Sequence, residues 1–329
     1  GVEPDHVIIQ MAQTLKEENS CIITGAVCEN HPDASIIRTL IAVIEQLSGA
    51  KVLRLTNGAN SAGACMAGML PHRTVAGKNV ATAGMDVQES LNAKLKGYLL
   101  MGVEPGYDFA NPYGARQSML AAEFVVMLTA YQQDSMLDYA DVILPIAPYA
   151  ETSGTYINVD NTWQTVKGAM LPYDEARPAW KILRVLGNLL QFKDFEYTST
   201  EDILLEIKDC AALTMEHEYT PYYPESLPVI NQSLVRVGEW PLYRNDAIVR
   251  NSKELQLCAA SESACIRINP ITADRLKLDD IATVSQGDIE ITLPLKRDER
   301  IAVDVVWVAN AMPETVDLGH SFAAITIKR

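Results

Sequence analysis

Carboxylate, hydroxyl and amide side chains follow one another closely in the segment Val142–Asn158, just after a short apolar run. The run Val142–Leu144 ends at Pro145, and Gly154 lies in the polar part that follows. This pattern predicts a buried strand that leads into a loop. In open α/β sheets, ligands bind beyond the carboxyl ends of strands, where short side chains and backbone N–H groups can approach closely. We therefore expect a ligand-binding loop here, with an ordinary strand-to-helix connection as the alternative.

Three acidic residues, Asp138, Asp141 and Glu151, flank this strand and have the chemistry for acid–base work, although helix capping and loop hydrogen bonding are commoner uses. The chain has no GxSxG, HExxH or EF-hand motif. The ligand types in Cys28–His31 are crowded rather than spaced for tetrahedral geometry. We therefore predict neither a catalytic residue nor a metal site in this chain.

A second loop, within Thr56–Gly68, is rich in glycine, alanine and asparagine. Its glycines do not follow the GxGxxG spacing of a dinucleotide fingerprint. Gly77 and Lys78 resemble the end of a phosphate-binding P-loop, but Asn79 stands where that motif needs serine or threonine. The loop is interpreted either as a structural turn or as a ligand-contacting segment.

Apolar runs alternate with helical patterns through the first part of the chain. The predicted strands are Ser20–Gly25, Lys51–Leu55, Lys96–Val103, Phe124–Leu128 and Val142–Leu144, and the predicted helices are Asp33–Leu47, Tyr113–Glu123 and Glu175–Gln191. This alternation predicts an α/β fold, a doubly wound and mainly parallel sheet with helices on both faces. From about Ala264 the apolar period changes to two, which predicts a small carboxyl-terminal β-barrel.

Three segments are predicted from these changes of pattern. Residues 1–193 form the α/β domain, 194–260 an acidic connecting segment, and 261–329 the barrel domain. The connecting segment contains one predicted helix, Glu201–Leu213, and a tail rich in tyrosine and proline, Tyr219–Glu225. We interpret this segment as a solvated connection, with a partner-binding tail as the alternative.

Composition limits the classes of function. The formal charge of −15 argues against nucleic acid as a ligand, because phosphate backbones are bound by lysine and arginine. No apolar run is long enough to insert directly into a membrane. None of the six cysteines forms a CxxC pair, which favours reduced cytosolic thiols and argues against an iron–sulfur cluster within these residues.

Four stretches resemble the molybdopterin oxidoreductase family. They are ADVILPIAPYAETSGTYINVDNTWQ, EARPAWKILRVL, the glycine-rich TNGANSAGACMAGMLPHR, and IRINPITADRLKLDDIATVSQGDIEITLPL. In the family signature, ADVILP leads to a glutamate, a Gly-Thr pair, an asparagine and a glutamine, all of which this chain has. The last stretch resembles the double-psi barrel that closes these proteins.

The resemblance implies a pocket for a pterin dinucleotide, which true molybdoenzymes of the family bind near these loops. Carried over to this chain, the residues of a vestigial pterin pocket are Asn57, Gly58, Asn60, Gly63, Glu151, Gly154, Thr155 and Asn158. The chain departs from the family pattern in two places. Asn161-Thr162 replaces a Gly-Arg pair and so removes a guanidinium that could bind an anion. The barrel stretch LKLDDIATV also lacks the glycine expected in its turn.

The branch of the family found in respiratory complex I, the NADH-quinone oxidoreductase, carries the strongest resemblance. It implies a scaffold region without its own redox centre, with the iron–sulfur clusters of the electron path in amino-terminal modules outside this chain. The implied partners are other subunits of the peripheral arm, at the cytoplasmic side of the bacterial inner membrane. The alternatives are a pterin-binding fragment of a formate dehydrogenase-like enzyme and an unrelated dinucleotide-binding domain.

Overall fold

The computed structural model describes residues 4–212, 233–258 and 261–329. The predicted tail Tyr219–Glu225 lies outside these residues. The chain divides into two compact units. The first unit comprises Gly1–Ala81, Thr155–Thr165 and Leu204–Asn231, and the second comprises Thr82–Gly154, Val166–Ile203 and Gln232–Arg329.

Helices and strands alternate through most of the described residues. The α-helices are α1 (His6–Thr14), α2 (Ala26–Glu29), α3 (Ala34–Ser48), α4 (Ser61–Met66), α5 (Val87–Asn92), α6 (Pro112–Leu120), α7 (Ala179–Leu189), α8 (Thr200–Ala212), α9 (Ala247–Asn251), α10 (Lys253–Gln256) and α11 (Pro270–Arg275). The strands are β1 (Cys21–Thr24), β2 (Lys51–Arg54), β3 (Gly97–Met101), β4 (Phe124–Thr129), β5 (Val142–Pro145), β6 (Gly154–Ile157), β7 (Trp163–Val166), β8 (Val235–Val237), β9 (Ile266–Ile268), β10 (Ile281–Gln286), β11 (Ile289–Arg297), β12 (Val305–Val308) and β13 (Thr326–Lys328).

The first unit contains a βαβ arrangement, as predicted. β1 and β2 pair in parallel, from Cys21 opposite Lys51 to Thr24 opposite Arg54, and α3 connects them. Gly49 ends α3 in the left-handed region at a φ of 77°, where a residue without Cβ is favoured. Glu29 accepts hydrogen bonds from Arg38 and Arg54 and so ties α2 to α3 and β2.

The second unit contains a three-stranded parallel sheet in the order β3-β4-β5. Helix α6 begins at Pro112, one residue before the predicted start, because Asn111 accepts a hydrogen bond from the Gly114 N–H and proline fits the first helical position. Met119 of α6 packs with Val125 and Met127 of β4 in a buried apolar cluster.

The carboxyl-terminal strands form a curled six-stranded sheet in the order β13-β10-β11-β9-β12-β8. Its two edges meet, because Val235 of β8 bridges Ala324 just before β13. Ile266, Ile268 and Val306 are fully buried inside. The sheet extends upstream of residue 261, where the barrel domain is predicted to begin, because β8 pairs in parallel with β12.

One arginine lies inside this curled sheet. Arg236 is fully buried, and its guanidinium donates to the carbonyl oxygens of Val308 and Gly319 and to Oδ1 of Asn310. Burial lowers the pKa of Arg236 to about 10. Carbonyl and amide oxygens thus replace the water that this charge loses on folding.

The described parts of the chain contain no helix that is both long and apolar enough to cross a membrane.

Candidate functional site

Asn60 connects the glycine-rich loop to β6 within the first unit. Its Nδ2 donates to the Thr155 carbonyl oxygen at 3.1 Å, and its Oδ1 accepts from the Ile157 N–H at 2.8 Å. Both ends of the carboxamide therefore pair with the β6 backbone, as a strand neighbour would. Two of the predicted site residues, Asn60 and Thr155, are brought together in this way although they are far apart in sequence.

The glycine-rich loop closes on itself around Asn60. A Cβ at Gly63 would overlap the Asn60 carboxamide, so glycine is required for this approach. The Gly58 carbonyl oxygen accepts from the hydroxyls of Thr56 and Ser61 at 3.1 and 3.2 Å. Asn57 donates from Nδ2 to Oδ1 of Asn30 at 2.8 Å. This chain's own side chains thus fill the space inside the loop and form hydrogen bonds with its polar groups.

Asn158 shapes the turn between β6 and β7. Its Oδ1 accepts from the N–H groups of Asp160 and Thr162 at 3.0 and 2.9 Å, which is the pattern of an Asx turn. Asn161 lies in this turn with a φ of 61°, a left-handed conformation that asparagine tolerates. The two residues that replace the family's Gly-Arg pair are therefore part of a tight turn.

Glu151 and Gly154 belong to the second unit. Glu151 ends a short 3-10 helix, Tyr149–Glu151, and its Oε2 accepts from the Tyr173 N–H at 2.9 Å. Gly168 passes so close to the backbone of Glu151 that a Cβ at Gly168 would lie 3.0 Å from the Glu151 carbonyl carbon. The Glu151 carboxylate thus fixes the loop that runs past it.

Asp141 and His31, two further candidates from the sequence, form hydrogen bonds within the chain. Asp141 accepts from the Val125 N–H at 2.7 Å through Oδ2 and so holds the start of β5 against β4. His31 accepts from the Asp33 N–H at 3.0 Å through Nδ1. Within residues 4–212, 233–258 and 261–329, no group of three or more histidine, cysteine or acidic residues is arranged to hold a metal ion.

Sequence reasoning missed a buried ionic cluster in the second unit. Arg250 of α9 donates from Nε to Oε2 of Glu104 at 3.0 Å, and its Nη2 forms ion pairs with Oε2 of Glu104 at 2.9 Å and with Oδ1 of Asp108 at 2.8 Å. Its guanidinium also lies over the Tyr107 ring, 5.2 Å from the ring centre. Glu104 and Arg250 are 146 positions apart, so no local pattern in the sequence could pair them.

Two carboxylates share one arginine in this cluster. Burial raises the pKa of Glu104 and that of Asp108, and the nearby Arg250 charge only partly offsets that effect. The Glu104 N–H also donates to Oδ2 of Asp108 at 2.7 Å. The cluster fixes the loop after β3 to α9.

Comparison with protein families identifies the chain at the family level. The family model described as molybdopterin oxidoreductase matches residues 2–189, which is more than half of the chain. The chain belongs to the molybdopterin oxidoreductase family. The match includes every predicted residue of the pterin pocket.

The curated relatives of this chain are named for different activities. The chain is 31% identical over 147 residues to the NADH-ubiquinone oxidoreductase 75 kDa subunit of Reclinomonas americana, covering 42% of this chain and 21% of that protein. It is 30% identical over 133 residues to a nitrate reductase of Symbiobacterium thermophilum, covering 40% and 17%. It is 28% identical over 130 residues to the F420-dependent formate dehydrogenase subunit alpha of Methanocaldococcus jannaschii, covering 38% and 19%. The chain spans about a fifth of the length of these relatives.

A solved structure supports the fold. Acetylene hydratase from Pelobacter acetylenicus matches with a TM-score of 0.53 and 14% identity, covering 80% of this chain and 46% of that one. The α/β fold class with its curled carboxyl-terminal sheet is thus confirmed as that of a molybdopterin-family protein.

The predicted pterin-pocket residues of this family member fit a self-contained loop better than a bound pterin. Both polar atoms of the Asn60 carboxamide and the Oδ1 of Asn158 are engaged with this chain's own backbone. The space above Gly63 is filled by Asn60 rather than left open for a ligand.

Proposed function

We propose that this chain is part of the molybdopterin oxidoreductase-like subunit of a bacterial NADH-quinone oxidoreductase, respiratory complex I, and serves there as a scaffold without its own redox centre. The observation that carries this proposal is the hydrogen bonding of Asn60 to the β6 backbone, together with its position over Gly63. In this arrangement the Asn60 Oδ1 is bound to the Ile157 N–H rather than open to a ligand. A scaffold needs a loop that holds its shape alone.

The relatives support this proposal at the level of the complex. One of them is a 75 kDa subunit of an NADH-ubiquinone oxidoreductase. In the proposed function, electrons pass from NADH to quinone through iron–sulfur clusters held outside these residues. Other subunits of the peripheral arm, on the cytoplasmic side of the membrane, are the partners of this chain.

The second unit has the properties of a rigid scaffold. Arg250 and its two carboxylates fix α9 to the loop after β3, and Arg116 of α6 pairs with Asp317 at 2.5 Å. Trp240 donates from Nε1 to the Tyr107 carbonyl oxygen at 2.8 Å. These contacts join the parallel sheet to the curled sheet within one unit.

A formate dehydrogenase-like or nitrate reductase-like fragment is the competing function, since relatives of both kinds match at similar identity. The deciding experiment is metal and pterin analysis of the full-length native protein that contains this chain. Iron without molybdenum, tungsten or oxidised-pterin fluorescence is the expected result. Stoichiometric pterin with molybdenum or tungsten would overturn the scaffold proposal.

A second test uses the 329-residue chain itself. We expect no turnover of formate or NADH with a redox dye, and no difference between the native chain and Glu151→Ala. The substitution removes the acceptor of the Tyr173 N–H and should perturb only the adjoining loop. Detectable turnover that Glu151→Ala abolishes would support a pterin enzyme instead.

A further inference from the structure

A cleft of about 620 Å³ opens in the second unit, apart from the loops of the first unit. It is bounded by the Glu151–Ser153 loop, by the segment 167–172, and by the starts of α7 and α8. Its volume is in the range of specific binding sites. None of the contacts described above fills it.

One wall of this cleft is apolar and unusually exposed. Met170 and Leu171 line the cleft and are 68% and 88% exposed, and the neighbouring Tyr173 is 80% exposed. Single exposed apolar side chains are ordinary, but here a methionine, a leucine and a tyrosine are all exposed within four positions of the chain. Patches of this kind, bordered by polar residues, mark interaction surfaces.

Three cations also line this cleft. They are Lys167, Arg177 and Lys181, and among the described residues none of them forms an ion pair with a carboxylate. The Arg177 Nη1 donates to the carbonyl oxygens of Asp174 and Ala176, and the Lys181 ammonium lies 5.4 Å from the centre of the Trp180 ring. On a chain of net charge −15, three cations without ion-pair partners at one cleft can pair with carboxylates of another molecule.

Two carboxylates also line the cleft. Glu151 accepts from the Tyr173 N–H, and Glu201 accepts from the Thr200 hydroxyl at 3.2 Å. The lining side chains therefore carry three positive and two negative charges, and Asp202, which accepts from the N–H groups of Thr198 and Ser199, adds a third negative charge beside them.

A small inorganic anion is not the best occupant of this cleft. The N–H groups of Thr198 and Ser199, which precede α8, already donate to Asp202, so they offer an anion no free backbone donors. The apolar wall would also remain uncovered by such an ion. An occupant that carries both carboxylates and apolar side chains satisfies both walls.

We propose that this cleft docks an acidic segment of a partner subunit, whose carboxylates pair with Lys167, Arg177 and Lys181 and whose apolar side chains cover Met170 and Leu171. The inference rests on the proposed function only in that the chain works within an assembly. The docking test uses peptides and the 329-residue chain, whereas the pterin analysis uses the full-length native protein, so the two tests fail independently.

The test measures binding of labelled peptides to the 329-residue chain by fluorescence anisotropy. The probe is a fluorescein-labelled peptide of about ten residues that alternates aspartate and leucine, with one control peptide that has lysine for aspartate and another that has serine for leucine. We expect the acidic apolar peptide to bind at least about tenfold more tightly than either control, because both walls contribute.

Matched variants assign the binding to the cleft. The double variant Lys167→Glu, Lys181→Glu should bind the acidic apolar peptide at least about tenfold more weakly, because like charges then face the peptide's carboxylates. Leu171→Ser should also weaken it. Lys253→Glu and Leu257→Ser, at exposed positions of the second unit away from the cleft, should leave affinity within about twofold. Circular dichroism confirms that each variant is folded.

Several results would overturn the proposal. Equal binding of the lysine-containing peptide would show that charge does not select the occupant, and equal binding of the serine-containing peptide would show a simple anion site. No binding of the acidic apolar peptide at about 1 mM, or equal losses in the cleft and control variants, would also contradict it.

Discussion

The two units of the chain differ in how their residues are buried. Among the described residues of the first unit, the buried apolar side chains are those of Ala50, Ala76 and Ile157. The second unit contains two apolar clusters, one at the parallel sheet and one inside the curled sheet. Burying one isoleucine-sized side chain contributes about 1.5–3 kcal/mol to folding. The second unit therefore has the larger independent source of stability.

The difference extends to the polar contacts. The first unit is held by neutral hydrogen bonds such as those of Asn60 and by a half-exposed pair of arginines on Glu29. The second unit buries charge, in Arg236 and in the Arg250 cluster. Buried charges bind their partners tightly but are costly to leave alone. We expect the second unit to be the more protected one in hydrogen exchange, and its buried charges to be its most sensitive points.

The largest expected loss follows from removing the arginine of the buried cluster. Arg250→Ala leaves Glu104 and Asp108 buried without their cation and should lower the free energy of unfolding by about 3–5 kcal/mol. Urea denaturation of the whole chain measures this, and hydrogen exchange locates it in the second unit. Arg300→Ala is the control, because that side chain is largely exposed and solvent screens its pair with Asp298, so a much smaller loss is expected. A similar effect of both substitutions would contradict the importance of burial.

The next largest effect tests the apolar core of the curled sheet. Ile268→Ala removes a fully buried side chain and should cost about 2–4 kcal/mol of unfolding free energy. The control is Ile271→Ala, since Ile271 is mostly exposed on α11 and little burial is lost. If the two alanine variants unfold at the same urea concentration, the curled sheet does not supply the stability that we assign to it.

A smaller effect is expected in the first unit. Asn60→Ala leaves the Ile157 N–H without its partner and should cost about 1–3 kcal/mol, with faster hydrogen exchange in β6. Asn57→Ala in the same loop removes only an exposed bond to Asn30 and should change exchange little. Faster exchange in the curled sheet rather than in β6 would be inconsistent with a local role for Asn60.

The elements of the fold were predictable where the pattern is local. Strand β4 and helix α7 follow from apolar runs and from Pro178 at the helix start. Strand β8 was not predicted, because it is three residues long and is stabilised by pairing with β12, about seventy positions away. Propensity within so short a segment cannot indicate a distant partner.

The site was predictable only as a set of residue types. The sequence indicated Asn60 and Thr155 as neighbours of one pocket through the family resemblance, but not that the Asn60 carboxamide would pair with the β6 backbone. Side-chain partners are selected by three-dimensional packing, which local patterns do not encode. The same reason explains why Glu104 and Arg250 were missed.

The smallest effect is a change in the pH dependence of stability. Because burial raises the pKa of Glu104 and Asp108, the folded chain binds more protons than the unfolded chain at pH values above their ordinary pKa values of 4.5 and 3.8. Stability from this source is therefore complete below those values and is lost as the pH rises through the folded pKa values. Glu104→Gln removes one of the two titrations but keeps a side chain of similar shape.

The difference in unfolding free energy between Glu104→Gln and the native chain separates the contribution of Glu104 from those of all other titrating groups. Between about pH 4.5 and pH 7, the unfolding free energy of Glu104→Gln minus that of the native chain should increase with pH, since only the native chain loses the bound proton. Urea denaturation at several pH values in this range measures the difference. A difference that falls with pH would mean that Arg250, rather than burial, dominates the titration of Glu104. In that case Glu104 and Arg250 would stay paired throughout this pH range. The second unit would then differ from the first mainly in how its charged side chains are paired, and less in how strongly they are removed from water.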